Sequence, residues 1–412
     1  MRVHSGDAEK ADIRRILVTY GWCRTAYLAL RSLHLRGYEV FTCSSIAPSM
    51  CAWSRFSRQN AIVADPFADP DRYASDVAAL MAKWNIDAVM PGHEDAIALR
   101  RHPELIAESK LVCPDLSSLE NTVDKAWITQ SAMRAGVPVP LTRFPDSVSQ
   151  ARLDADSIGY PVVIKTRRGN SGKGVIAAAN PGELDTAMKR FMVDSVSRSE
   201  SFPIIQSCLD GPVVGTCFLA CEGKPAAIFG ERYLRCKDGR FGTSVFREPL
   251  RNRKLFDYTE RMIEYLGWTG LGHFDFIEAP DGSEFYLLEM NPRLWGAINL
   301  SFINGYDFPA ACIAAFSGDP DAVAACFADN GRIRRSLWIA GEGIAAVNRI
   351  RREGFRSFAR TVPELIRSLE NTRFDDFAID DPFPLIAELV CYGRMFIRSG
   401  GDTNPATEGM LG

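Results

Sequence analysis

Short β-branched runs alternate with amphipathic stretches over the first hundred residues. RILVTYG (Arg15 to Gly21) reads as a strand, TAYLALRSLHLRG as a helix closed by Gly37, and YEVFTCSS as a second strand. The alternation continues through AIVADP, a helix over residues 70 to 84, the strand DAVMPG, a helix from Glu94, and KLVCPD. This rhythm predicts a parallel, helix-covered sheet over residues 13–116. LSSLENTVDKAWITQSAMRAG then reads as two helices ended by Gly136, and VPVP as a linker. From Pro161 onward, strands follow one another with tight turns (YPVVIK, GVIAAA, FPIIQSCLDG, VVGTCFLACEG, KPAAIFGERYL), which predicts antiparallel α+β structure. Residues 331–412 are expected to be helical and rich in arginine.

Composition narrows the class. A chain of 412 residues holds two or three units at about 150 residues per domain. With 46% hydrophobic and 24% charged residues, and 48 basic against 51 acidic side chains, it has the make-up of a soluble globular protein. A net charge of −3 argues against a nucleic-acid partner and against disorder. The eleven cysteines are scattered with no CxxC pair, so zinc and redox motifs have no support. The amino terminus lacks an apolar leader core and no run approaches 18 apolar residues, so a cytoplasmic location is expected.

Two segments carry chemistry. In PVVIKTRRGNSGKGVIAAA, a strand ends at Lys165 and another begins at Val175, with a glycine-rich loop from Gly169 to Gly174 between them. Loop glycines let backbone N–H groups surround phosphate oxygens, and a lysine adds a point charge. A Walker loop would need glycine where Arg167 stands and a hydroxyl residue where Gly174 stands. The dinucleotide fingerprint would need a helix where this loop leads into a strand. What is left is a glycine-rich hairpin, either folded over a nucleotide or simply exposed on the surface.

The second segment is GHFDFIEAPDGSEFYLLEMNPRLWGAINL, two strands about the turn Pro280-Asp281-Gly282-Ser283. Period two groups His273 with Asp275, and Glu289 with Asn291 and, if the strand persists, Arg293. Phe274, Phe276, Leu288 and Met290 fall on the opposite, apolar face. Two carboxylates and an amide oxygen form an incomplete set of hard ligands of the kind that suits Mg²⁺. The bland alternative is a hairpin whose charges face water.

Together the two segments make residues 13–315 resemble the ATP-grasp superfamily, which includes D-alanine ligases and biotin carboxylases. The resemblance implies a mixed α/β and α+β chain. Residues 13–116 would be a parallel α/β pre-ATP-grasp domain, and 117–205 the small lobe with its glycine-rich loop. Residues 206–330 would be the large lobe with the metal site, and 331–412 a helical, arginine-rich extension. It further implies ATP and Mg²⁺ (or Mn²⁺), the metal held by Asp275, Glu289 and Asn291. Lys125, Lys165, Gly169, Ser171, Gly172, Lys173 and Gly174 would hold phosphates, and Gln206, Ser207, Cys208 and Leu209 would bracket adenine. Gln206 replaces the usual glutamate, and Val213 stands where many members carry a ribose-binding acid, for which Asp210 is the substitute. Arg293 and His273 are the catalytic candidates, His273 occupying a position that is arginine in the D-alanine ligases. Arg232, Arg235, Gly242, Thr243 and Ser244 match a substrate-facing region more loosely.

The implied reaction joins a small-molecule carboxylate to an amine through an acylphosphate, releasing ADP and phosphate. Open alternatives are a non-catalytic ATP-binding regulator or scaffold, and a kinase or carboxylase on the same fold. His93-Glu94-Asp95, between a strand and a helix, reads first as helix capping, with Glu94 a secondary site candidate. Arg332 to Arg373 holds ten arginines, no lysine and four acidic residues, a local charge of +6. Interleaved Ile344, Val347, Phe355 and Phe358 predict a basic amphipathic helix broken near Gly354. Such a helix could meet an anionic membrane surface, but packing of its apolar side on the core is the preferred reading. An oligomer is left open.

Overall fold

Three β-sheets organise the chain in the computed structural model, which describes residues 12–169, 174–196, 202–238, 241–328, 331 and 333–403. The first sheet contains β1 (Arg15–Val18), β2 (Glu39–Ser44), β3 (Asn60–Ile62) and β4 (Ala88–Met90), all parallel, in the order β3-β2-β1-β4. Ile16, Leu17 and Val18 are all fully buried because helices cover both faces. Ile16 and Val18 join the core of helix Arg24–Leu35, while Leu17 joins that of helix Pro70–Trp84. The latter helix has the expected bounds: Asp69 caps it by accepting from Arg72 N, and Asn85 ends it in the left-handed conformation.

The second sheet is antiparallel, with β5 (Thr142–Arg143), β6 (Val162–Lys165), β7 (Val175–Ala178) and β8 (Ile204–Ser207) in the order β5-β8-β6-β7. Lys165 pairs with Val175 where β6 and β7 open into the glycine-rich loop. Gly169 and Gly174 border that loop, whereas Ser171, Gly172 and Lys173 lie outside the described residues.

The third sheet has seven strands: β9 (Val213–Cys221), β10 (Lys224–Asp238), β11 (Phe241–Leu250), β12 (Gly270–Glu278), β13 (Phe285–Asn291), β14 (Arg335–Leu337) and β15 (Thr372–Phe374). Their order is β13-β12-β9-β10-β11-β14-β15. The extension over residues 331–412 is mainly helical, as expected, and within it β14 and β15 add two short strands to this sheet. Each is three residues long, too short to show a period of two. An ion pair between Arg247 and Asp375, both fully buried, fastens the extension to β11.

The basic tail forms helices Ile339–Glu353 and Phe355–Ser368, broken at Gly354 (φ +83°) as its pattern predicts. Ile344 packs against Val245 and Trp338, in keeping with the preferred reading. Phe355 and Val347 do not follow it, being 68% and 38% exposed. No helix among the described residues is long and apolar enough to cross a membrane.

Candidate active site

Asp275 on β12 lies directly opposite Glu289 on β13, and His273 opposite Asn291, so all four share one face. Asn291 Nδ2 donates to Asp275 Oδ2 at 3.1 Å, and Tyr233 donates its hydroxyl to Asp275 Oδ1 at 2.7 Å. Burial pushes the Asp275 carboxyl up to about 6, with the Glu289 charge adding to burial and the His273 imidazole opposing it. Burial would also raise Glu289, but Lys125, then Lys165 and Arg293, hold it below the usual carboxylate range. Two enclosed carboxylates and an amide oxygen that adjoin a cavity fit a divalent cation, whose charge would relieve the strain on Asp275.

The apolar face departs from expectation at one residue. A register shift after Asp275 pairs Phe276 with Leu287 and bulges the strand at Leu288. Phe274, Phe276, Phe285, Leu287 and Met290 remain in the core, and Leu288 turns to line the cavity beside Ile277.

That cavity, of about 340 Å³, gathers most of the candidates. Lys125, Lys165, Gly169, Gln206, Ser207, Cys208 and Leu209 line it together with His273, Asp275, Glu289, Asn291 and Arg293. Both lysines are almost wholly buried, at 5% and 9% exposure. Lys125 Nζ donates to Gly169 O and lies 3.5 Å from Glu289 Oε2. Burial, with Lys125 nearby, lowers the Lys165 ammonium to about 8. Two cations confined in this way suit a polyanion, which would restore the charge on Lys165. Gln206 Nε2 donates to Thr142 Oγ1 at 3.0 Å, leaving its buried Oε1 without a partner among the described residues. A base bearing an amino group would satisfy it. Val213 also lines the cavity, whereas Asp210 is exposed and lies outside the lining.

Arg293 follows the last residue of β13 by two positions, because Pro292 cannot continue the ladder. Its Nη2 donates to Asn291 Oδ1 at 3.0 Å, and its Nε faces Glu94 Oε1 at 3.5 Å. Helix capping is therefore not the role of Glu94. Asp95 takes the local bonds instead, accepting from His93 N at 2.8 Å and from the Tyr73 hydroxyl at 2.6 Å. Gly242, Thr243 and Ser244 line the cavity, but Arg232 pairs with Glu278 and Arg235 with Glu342, and neither reaches the lining. Register shifts in β10 after Tyr233 turn Arg235 away from the face its spacing implies.

Sequence reasoning missed the partner of His273. Its Nε2 bonds Glu231 Oε1 at 3.0 Å, both residues being buried, and its Nδ1 lies 3.7 Å from Asp275 Oδ2. Burial works against the imidazolium, but Asp275 and Glu231 outweigh it and raise the His273 pKa. The pair crosses β9 over Gly215, where a Cβ would sit 2.7 Å from His273 Nε2. Cys217 Sγ also comes within 4.8 Å of this pair. The available signal was the alternation in ERYL, which puts Glu231 and Tyr233 on one strand face.

A family model described as "ATP-grasp in the biosynthetic pathway with Ter operon" matches residues 205–334. A pyruvate carboxylase component from Methanothermobacter thermautotrophicus is 27% identical over 286 residues, covering 65% of this chain and 56% of that protein. The biotin carboxylase–β-γ-ATP complex from Campylobacter jejuni superposes with a TM-score of 0.64 at 20% identity, covering 74% of this chain and 71% of that one. N5-carboxyaminoimidazole synthetase from Staphylococcus aureus gives a TM-score of 0.58 at 15% identity, covering 75% and 79%. The chain spans between 12% and 56% of the length of the curated relatives it matches.

Proposed function

We propose that this chain is a member of the ATP-grasp superfamily and works there as an ADP-forming ligase joining a small-molecule carboxylate to an amine. One observation carries the reading. Asp275, Glu289 and Asn291 share a single strand-pair face of the cavity that also takes in the buried Lys125 and Lys165.

In this reading Lys125 and Lys165 hold the phosphates of ATP, and Gln206 to Leu209 with Val163, Ile277 and Leu288 enclose the base. Asp275, Glu289 and Asn291 hold Mg²⁺, or Mn²⁺ in its place, and the ion supplies charge neutralisation on the phosphate oxygens. A carboxylate oxygen of the substrate forms a bond to the γ-phosphorus while the bond to the bridging oxygen of ADP breaks, the electron pair leaving with ADP. The amine nitrogen then adds to the acyl carbon of the resulting acylphosphate, phosphate departs with its bonding pair, and the nitrogen releases a proton to solvent. Arg293, held by Asn291 and Glu94, stabilises the charge on the transferred group. Asp275 and Glu231 both favour the imidazolium of His273, which stands where the D-alanine ligases carry arginine and would add a second positive charge there. A cytoplasmic setting belongs to the same reading, in which the eleven scattered cysteines, with no CxxC pair, stay reduced.

The test is ADP release across panels of carboxylates and amines, with bicarbonate and alcohols included, followed by mass measurement of the product. An amide product supports the ligase. A phosphorylated alcohol or a carboxylated product would replace it with a kinase or carboxylase, and ATP binding without turnover on any panel would favour a regulator.

A further inference from the structure

A second part of the cavity wall comes from neither the hinge strand nor the β12–β13 pair. It is a continuous run of rings supplied by the loop after β1, the loop after β4, and the C-terminal extension. His93 stacks on Tyr20 at 4.9 Å and 23°, Tyr20 meets Trp22 at 5.3 Å, Trp22 meets Tyr392 edge-on at 6.5 Å, and Tyr392 meets Trp338 at 5.8 Å. The Arg24 guanidinium closes the run, 3.7 Å from the centroid of Trp338.

This wall is built rather than incidental. Tyr20 has φ +58°, a left-handed conformation that a bulky residue adopts only when its surroundings enforce it, and such strain gathers at ligand sites. Trp338 is held in place by donating its indole N–H to the buried Glu388 at 3.0 Å. Arg24 is 7% exposed, and its Nε donates to Gly296 O at 3.1 Å. Its nearest carboxylate, Asp375, is 4.0 Å away and already bonded to Arg247. The terminal nitrogens of Arg24 have no hydrogen-bond acceptor among the described residues. A guanidinium that lines the cavity with its Nε engaged and its terminal nitrogens still available can take a bidentate anion.

We propose that this wall selects the acid substrate, and that the substrate is an aromatic or heteroaromatic carboxylic acid. Its flat body lies along the rings and an anionic group sits on Arg24. The proposal rests on the ligase reading for its chemistry, but it makes a separate claim about what binds. It also gives the C-terminal extension a function, because Trp338 and Tyr392 come from residues 331–412.

Calorimetry on the full chain with indole-3-acetate, cyclohexylacetate and indole-3-acetamide tests it, run beside ADP release with the same compounds. Indole-3-acetate is expected to bind about tenfold more tightly than its saturated counterpart. Trp22→Leu and Tyr392→Leu, both at partly exposed positions, should each remove most of that preference. Arg24→Gln should abolish the preference for the acid over the amide, and Arg24→Lys should restore part of it. Equal binding of the saturated acid, unaltered by Trp22→Leu and Tyr392→Leu, would overturn the proposal even if carboxylates still drove ADP release. Selective binding of the aromatic acid with no carboxylate-driven ADP release would uphold it and sink the ligase reading instead.

Discussion

Gly215→Ala is the sharpest perturbation of the buried Glu231–His273 pair. The added methyl would lie 2.7 Å from His273 Nε2 and 3.2 Å from Glu231 Oε1, whereas the bond between those two atoms is 3.0 Å long. One partner must move, and because His273 is 2% exposed and Glu231 fully buried, the displaced group exchanges its bond for the cavity and not for bulk water. Glu231 Oε2 already lacks a partner among the described residues, so no alternative bond takes up the loss. A hydrogen bond to a charged group contributes about 1.5–3 kcal/mol. At about 2–4 °C per kcal/mol for a unit of this size, the melting temperature should fall by roughly 3–12 °C. His273 also abuts Asp275 at 3.7 Å, so Mg²⁺-dependent ADP formation should fall by about tenfold or more. The sign with pH follows from the raised His273 pKa. The pair's contribution is fully present below the unfolded value of about 6.5 and is lost as pH rises through the folded value. Thermal unfolding at several pH values and the imidazole NMR titration provide the assay. In Glu231→Gln, where the charge is already gone, the further effect of Gly215→Ala should be much smaller. An unchanged melting temperature and an unshifted imidazole titration in Gly215→Ala would refute the reasoning.

Three further outcomes are expected. Lys165→Ala should weaken ATP binding far more than binding of the acid substrate, which parallel titrations with the two ligands would check. Because Lys165 is lowered to about 8, the unfolded chain holds the extra proton between there and its ordinary 10.5. Stability of the free protein should therefore rise with pH across that window while ATP affinity falls above about pH 8, and both slopes should vanish in Lys165→Ala. Asp375→Ala strands the fully buried Arg247 and should cost about 3–5 kcal/mol in chemical denaturation, since it leaves an uncompensated buried charge.

Much of the site was legible because it depends on local periodicity. The alternation in HFDF and LLEMN places His273, Asp275, Glu289 and Asn291 on one face, and strand pairing is enough to bring them together. Leu288 escaped because a bulge depends on pairing register, which alternation along one strand does not encode. Asp210 was chosen by proximity in sequence, which does not encode that the residue is exposed and outside the cavity lining. Glu94 looked like a cap because its partner, Arg293, is 199 residues away. The ring wall was invisible for the same reason, being assembled from positions 20 to 24, 93, 338 and 392 by the packing of separate units. Strands β14 and β15 gave no signal because sheet extension, and not their own composition, makes them strands.

The central claim is that Asp275 and Glu289 make ATP binding metal-dependent in this cavity. It is tested most directly by calorimetric titration of ATP, with and without Mg²⁺, into the wild-type chain and into the double variant Asp275→Asn, Glu289→Gln. Those substitutions remove charge while keeping side-chain volume, so the fold should persist. Mg²⁺ is expected to tighten ATP binding by the wild type by about tenfold or more, equivalent to at least 1.4 kcal/mol, and to have no such effect on the double variant. Equal Mg²⁺ enhancement in both proteins, or no ATP binding by the wild type, would contradict the account.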